Sequence, residues 1–285
     1  MKINCELPLC MMNENTNLND IDFVLFHLYK SNDAYREYYK KMREEHPERT
    51  MIFDNSAYEF FVKGETLDMD AYVQAIIDLG PDYYILPDVL RDKQKTIDGV
   101  TQFMSKYVKS NIYKHYLLWE RSKPMAVAQG SSSEDLVECI ELFKKMKMRI
   151  LCLPFHLSFY TEGEYDEDIV NTFKEVYGEI TEDIRYAMGR IRWIRQHADL
   201  LGIGSKENPF DYIHCLGSHC PLEKKLMDGI DSTDTGYPVK CGIAGFELEK
   251  EPGKPTVIID DFLDTDLPES TRELIRTNVN KFRYY

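Results

Sequence analysis

The chain has 285 residues, of which 43% are hydrophobic and 29% charged, and a formal net charge of −14. No apolar run approaches the ~18 residues of a membrane span. The segment Met1–Cys10 lacks the apolar core of a signal peptide, and the acidic balance argues against wide, non-specific coating of nucleic acid.

Along the chain, short apolar runs alternate with amphipathic stretches. Residues 22–28 read as a strand, followed by a helix at about 32–45; residues 50–55 read as a second strand. Met69, Tyr72, Val73, Ile76 and Ile77 then fall on one face of a helix, which Gly80 closes as a left-handed cap before Pro81. A third strand is expected at 83–88, with Ile97, Val100, Phe103 and Met104 on the inner side of its helix. A fourth lies at 124–129, and Ser131 with Glu134 then has the spacing of a capping box. Leu136, Ile140 and Phe143 continue that helix inward, and a fifth strand follows at 149–154.

The acidic segment 157–180 reads as a loop with an inserted helix. Residues 181–197 form a helix with Ile184, Met188, Ile191 and Ile194 inward. Strands six and seven are expected at 212–217 and 229–234, with Gly236 and Pro238 ending regular structure. Residues 247–254 have the composition of a hairpin, and 256–259 read either as an eighth strand or as part of that hairpin. A final helix covers 268–282, with Pro268 in its first turn.

Seven or eight strand–helix units in this length predict an α/β chain folded as a (β/α)8 TIM barrel with a small hairpin insertion near the C-terminus. No repeat, low-complexity tract or linker marks a boundary, so residues 1–285 read as a single domain. A doubly wound sheet is the alternative, but neither G-x-G-x-x-G nor G-x-x-x-x-G-K-[ST] is present. The seven scattered cysteines read as reduced thiols in a cytoplasm. Basic residues cluster at Lys106, Lys109 and Lys114; at Lys144, Lys145, Lys147 and Arg149; at Arg185, Arg190, Arg192 and Arg195; and at Arg276, Lys281 and Arg283. Solvated helix faces and a nucleic-acid face suit them equally.

Barrels keep their functional side chains at the C-terminal ends of strands. Those ends carry Asp54-Asn-Ser-Ala-Tyr58, Asp88, Gln129-Gly130, Leu216-Gly217-Ser218-His219 and Asp234. The set lacks plausible metal ligands: His214, Cys215, His219 and Cys220 do not have a common zinc spacing. It suits a planar purine-like base: Tyr58 to stack, Asp88 to accept from N–H groups, Gln129 as an amide contact, and Gly130 and Gly217 for close backbone approach. Asp54 and Asp234 remain for chemistry at a sugar carbon, one attacking and one carrying a proton. Asp231, three residues before Asp234, points elsewhere in an alternating strand and reads as structural. Taken singly, Asp234 also fits a turn, Asp54 and Asp88 helix caps, Tyr58 core packing, and Gln129-Gly130 a plain strand-to-helix turn. His27 and His156 stay undecided between buried, hydrogen-bonded histidines and pocket residues.

In this order and spacing, Asp54-Asn-Ser-Ala-Tyr58, Asp88, Val-Ala-Gln-Gly130, Leu-Gly217 and Gly-Ile-Asp-Ser-Thr-Asp234 with Pro238 resemble the tRNA-guanine transglycosylase superfamily. The likeness is greatest to its compact phage and bacterial branch, which puts 7-deazaguanine derivatives into DNA. The resemblance implies that Asp234 is the nucleophile at C1′, holding a covalent glycosyl-enzyme intermediate, and that Asp54 is the general acid/base. It implies Tyr58 as the stacking ring, Asp88, Gln129 and Gly130 as base-recognition residues, and Leu216-Gly217 as a further pocket wall. The implied partners are DNA with its guanine nucleotide flipped out and a free 7-deazaguanine base such as preQ0, with no cofactor. The location it implies is the cytoplasm, the host's in the case of a phage.

The chain departs from that pattern in three places. The C-x-C-x-x-C zinc motif is reduced to Cys241. Gly-Gly-Leu after the fifth strand is Leu-Pro-Phe155. Cys-x-x-Pro-Thr-Arg is Thr-Gly-Tyr-Pro-Val-Lys240, where Lys240 is a candidate phosphate contact. The missing zinc region, and the lack of room for an RNA-binding domain, favour DNA over tRNA. A tRNA substrate, a non-catalytic base- or nucleic-acid-binding subunit of a modification complex, and a nucleoside hydrolase are the alternatives. The acidic balance calls for help in holding DNA, from an accessory protein or a dimer face.

Overall fold

The computed structural model describes residues 1–155, 157–248, 263 and 266–284. Its centre is an all-parallel eight-stranded sheet in the order β1-β8-β7-β6-β5-β4-β3-β2. The strands are β1 (Lys2–Cys5), β2 (Asp22–Leu25), β3 (Met51–Asp54), β4 (Tyr83–Ile85), β5 (Lys123–Val127), β6 (Ile150–Leu153), β7 (Tyr212–Cys215) and β8 (Ser232–Thr235). Sequential strands as neighbours, with β1 beside β8, is the order of a (β/α)8 barrel.

Seven of these strands match the apolar runs of the sequence. The eighth does not: it is β1, at the N-terminus. The stretch 256–259, most of the 247–254 hairpin, and His156 lie outside the described residues. Lys2-Ile-Asn-Cys5 is too short and too polar to announce itself, yet it pairs with β8 in the register Asn4↔Asp234 and Cys5↔Thr235. Its other edge is closed by side chains. Asn19 Oδ1 accepts from the Cys5 N–H at 2.6 Å, Asn19 Nδ2 donates to the Cys5 carbonyl at 2.9 Å, and Asp20 accepts from the Ile3 N–H at 3.0 Å. An edge occupied in this way is unavailable to another strand.

The chain packs as two compact units. One comprises Ile21–Leu153 and Pro209–Tyr212. Within it Tyr72, on the helix Met69–Leu79, stacks on Phe53 of β3. Its hydroxyl donates to the Phe53 and Ile85 carbonyls at 3.2 and 2.7 Å, tying the ends of β3 and β4 together. Asn32, Asp68, Asp92 and Ser132 each cap a helix through a side-chain oxygen. The box after β5 therefore starts one residue later than the sequence suggests. Ser132 is the cap, and the Asp135 carboxylate reaches back to the N–H and hydroxyl of Ser131. The first predicted strand is also shorter: it stops at Leu25 and turns into the helix Phe26–Ser31. There the His27 N–H donates to Ser56 Oγ at 3.1 Å instead of continuing the ladder.

The other unit comprises Met1–Asp20, Pro154–Asn208 and Ile213–Tyr285. Ile275, Val279 and Phe282 of the helix Glu269–Tyr284 pack with Ile3, Cys5, Met11, Leu18 and Val239. Gly242 is needed at this contact, because a Cβ there would lie 2.6 Å from Ile275 Cγ1. Gly236 and Pro238 do not end regular structure. A helix, Tyr237–Ile243, starts at once after β8 with the proline in its first turn. Among the described residues no helix is long and apolar enough to cross a membrane.

Candidate active site

Asp234 is the third residue of β8 and only 7% exposed. Its Oδ1 takes two hydrogen bonds at 3.0 Å, one from His214 Nε2 and one from the Gly217 N–H. Its Oδ2 takes none from the described residues. A carboxylate only accepts, so His214 Nε2 carries a hydrogen while Asp234 is ionised. Nδ1, 2.7 Å from Ser232 Oγ, accepts from that hydroxyl in the neutral ring. Ser232 and His214 are fully buried, so the Ser–His–Asp row cannot offer its serine to a substrate. Its outlet is the carboxylate.

The Gly217 N–H points at Asp234 because Gly217 has φ +64°, in the left-handed region that favours glycine. A Cβ would meet Phe155 only at an ordinary 3.5 Å, so the backbone conformation, not space, requires glycine. The same loop is held from behind by Arg190. Its guanidinium donates to the Leu216 and Gly217 carbonyls at 2.8 and 2.6 Å and to Glu223 Oε1 at 3.0 and 2.7 Å. Glu223 also accepts from the Ser218 hydroxyl. Arg190 and Glu223 are fully buried, and the guanidinium lies 4.7 Å from the centre of the Phe155 ring. Leu216 thus contributes a carbonyl to this anchor. Asp231 is structural: its carboxylate accepts from the Ile213 N–H at 2.7 Å.

Arg190 and Glu223 were not legible as site residues. The cluster Arg185, Arg190, Arg192, Arg195 is not a solvated or nucleic-acid face at its centre. Arg190 is buried, and so is Arg192, which donates to the Glu164 and Tyr160 carbonyls at 2.8 and 3.1 Å. Residues 187–194 of this helix are all buried, so the arginines within that stretch need partners. Arg283 is buried too, donating to the Asn17 carbonyl and Asp20.

A second constellation occupies the ends of β3, β4 and β5. Asn55 Nδ2 donates to Asp88 Oδ1 at 2.9 Å and to the Leu86 carbonyl at 2.8 Å, while its Oδ1 accepts from the Ala57 N–H. Gln129 Nε2 donates to Asp88 Oδ2 at 2.7 Å, and its Oε1 accepts from the Arg91 N–H at 3.1 Å. Burial pushes the Asp88 carboxyl above the usual carboxylate range, and the bonds from Asn55 and Gln129 pull it part of the way back. Arg91, at φ +61°, is one of three non-glycine residues in the left-handed region among the described residues. Ser56, at φ +57°, is another, held by a 2.9 Å bond between its hydroxyl and His27 Nδ1. That turn brings the Ser56 N–H to Asp54 Oδ2 at 2.6 Å. His27 is therefore the support of the Asp54 turn.

Tyr58 follows on the short helix Ala57–Lys63, 65% exposed, which excludes core packing and leaves a ring face open. Gly130 has a packing reason of its own. A Cβ there would lie 2.5 Å from Asp135 Cβ and 3.1 Å from the Leu136 nitrogen, so the following helix by itself requires glycine. His219 lies over Phe155 at 4.6 Å and stacks on Tyr237 at 5.7 Å. Lys240 is half-buried in the helix Tyr237–Ile243. Among the described residues no three His, Cys, Asp or Glu side chains stand together as a metal site.

Comparison with profiles of known protein families gives no match, and no curated protein sequence matches the chain.

Proposed function

We propose that this protein exchanges guanine in a polynucleotide for a 7-deazaguanine base such as preQ0, as a guanine transglycosylase. The observation that carries the reading is the divided carboxylate of Asp234, with Oδ1 clamped by His214 and Gly217 and Oδ2 without a partner among the described residues. An oxygen nucleophile needs this combination of fixed direction and an uncovered lone pair.

In the first displacement a bond forms between Oδ2 and C1′ as the C1′–N9 bond breaks. The electron pair leaves on N9, which takes up a proton. In the second, N9 of the incoming base loses its proton and attacks C1′, and the carboxylate is regenerated. Asp54 is assigned the proton transfers and the exposed Tyr58 ring the stacking of a base. Asp88 accepts from base N–H groups through the lone pairs left beyond Asn55 and Gln129. Gln129, with both ends of its amide engaged, is assigned to orienting Asp88. The absence of the C-x-C-x-x-C motif supports DNA as the polynucleotide, its target nucleotide turned out of the stack.

The test is incubation of the protein with labelled preQ0 and either guanine-containing DNA or tRNA. Label is expected in DNA and lost in Asp234→Asn. Label in tRNA alone overturns the choice of polynucleotide, release of guanine without any incoming base points to hydrolysis, and no exchange on either overturns the proposal.

A further inference from the structure

The strand that the sequence concealed carries a polar side chain with no protein partner. Asn4, the third residue of β1, is 2% exposed, and its Oδ1 is buried with no hydrogen-bond donor. It is the register partner of Asp234 on the adjacent parallel strand, about 4.8 Å away in the pairing direction. Register partners in a parallel sheet share a face, as His214 and Ser232 do when they bond across β7 and β8. Asn4 therefore lies on the same face as Asp234, His214 and Ser232, one strand to the side of the carboxylate. Folded proteins leave few buried acceptors without donors. The neighbouring Asn19 and Asp20 side chains are engaged elsewhere, with the β1 backbone, with Asn15 and with Arg283.

Displacement at C1′ is in-line, so the departing base lies beyond the carbon from Asp234. A group beside Asp234, at the same level, meets the sugar. In such reactions the sugar passes through an oxocarbenium-like state with positive charge shared by C1′ and the ring oxygen. A carbonyl dipole whose negative end no donor neutralises is a preorganised stabiliser of that charge and needs no reorganisation when the charge develops.

We propose that Asn4 is a catalytic residue whose side-chain carbonyl stabilises the oxocarbenium-like sugar while Asp234 reacts. No bond forms to Asn4 and no proton moves through it. The proposal rests on the transglycosylase reading above.

Asn4→Leu tests it, because leucine has nearly the same size and no dipole. Exchange kinetics on guanine-containing DNA with preQ0 are expected to show kcat lowered ~100- to 1000-fold, as for other preorganised dipoles, with KM within about twofold. Tm is expected to hold or rise, since an unpartnered buried amide has been removed. An unchanged kcat overturns the proposal. A loss carried by KM makes Asn4 a ground-state contact, and a clear fall in Tm makes it a structural residue; either also overturns it. A wild-type protein that exchanges no base shows, before any variant is made, that the underlying reading has failed.

Discussion

The two polar constellations differ in how completely they satisfy themselves. At the ends of β3, β4 and β5 each carboxylate oxygen of Asp88 accepts one hydrogen bond, and both ends of the Gln129 and Asn55 amides are engaged. Around β1, β7 and β8 two acceptor atoms have no partner among the described residues, Asp234 Oδ2 and the Asn4 amide oxygen. A satisfied network rigidifies its members, whereas buried acceptors without donors are few in folded proteins.

The largest effect expected short of the carboxylate itself comes from the support of the open set. Glu223→Ala strands the Arg190 guanidinium in the interior and is expected to cost about 3–5 kcal/mol of stability, read by denaturant unfolding. Activity in whatever remains folded should fall as well, because Arg190 holds the Leu216–Gly217 carbonyls. Retained activity would show that the Gly217 N–H is not needed on Asp234. Gly130→Ala tests the other set: its Cβ collides with Asp135 Cβ at 2.5 Å and crowds the backbone of the next helix, for a loss of about 1–3 kcal/mol. A variant of wild-type stability would mean that the glycine serves something other than that packing.

A smaller effect should appear with pH. The native Asp88 carboxyl titrates above its ordinary 3.8. Its contribution to stability is therefore fullest below 3.8 and is lost as pH rises through the raised native value. The Tm advantage of wild type over Asp88→Ala should be larger in acid than at pH 8; the opposite trend would mean that the charged form is the favoured one. The smallest effect is chemical. Burial pushes the thiols of Cys215 and Cys220 up to about 12 and those of Cys139 and Cys241 up to about 11. A thiol reagent at pH 8 should modify half-buried Cys10 first and these four only on unfolding.

The legible parts of this molecule were those written in contiguous residues. Strands such as Met51–Asp54 and Ile150–Leu153 are apolar runs, and the helix Met69–Leu79 shows its buried face as a 3.6-residue period. β1 was hidden because four residues with a lysine and an asparagine among them carry no period. Asp234, Asp54 and Asp88 stood out as carboxylates at strand ends. Their partners did not, because the bonds of Asp88 to Asn55 and Gln129 span 33 and 41 residues and the Arg190–Glu223 pair spans 33. Glu223, inside the charged run Glu223-Lys-Lys225, carries no local sign of burial. Gly130 and Gly217 were visible as glycines, but the reason for each, a helix backbone in one case and a left-handed turn in the other, exists only in three dimensions.

The central claim is that Asp234 Oδ2 forms the bond to C1′. The most direct measurement is intact-protein mass spectrometry after incubation with a guanine-containing DNA oligonucleotide and acid quench, followed by peptide mapping. The account predicts an oligonucleotide-mass adduct with guanine lost, located on the peptide that contains Asp234 and absent in Asp234→Asn. An adduct on another residue, or base exchange that persists in Asp234→Asn, would contradict it.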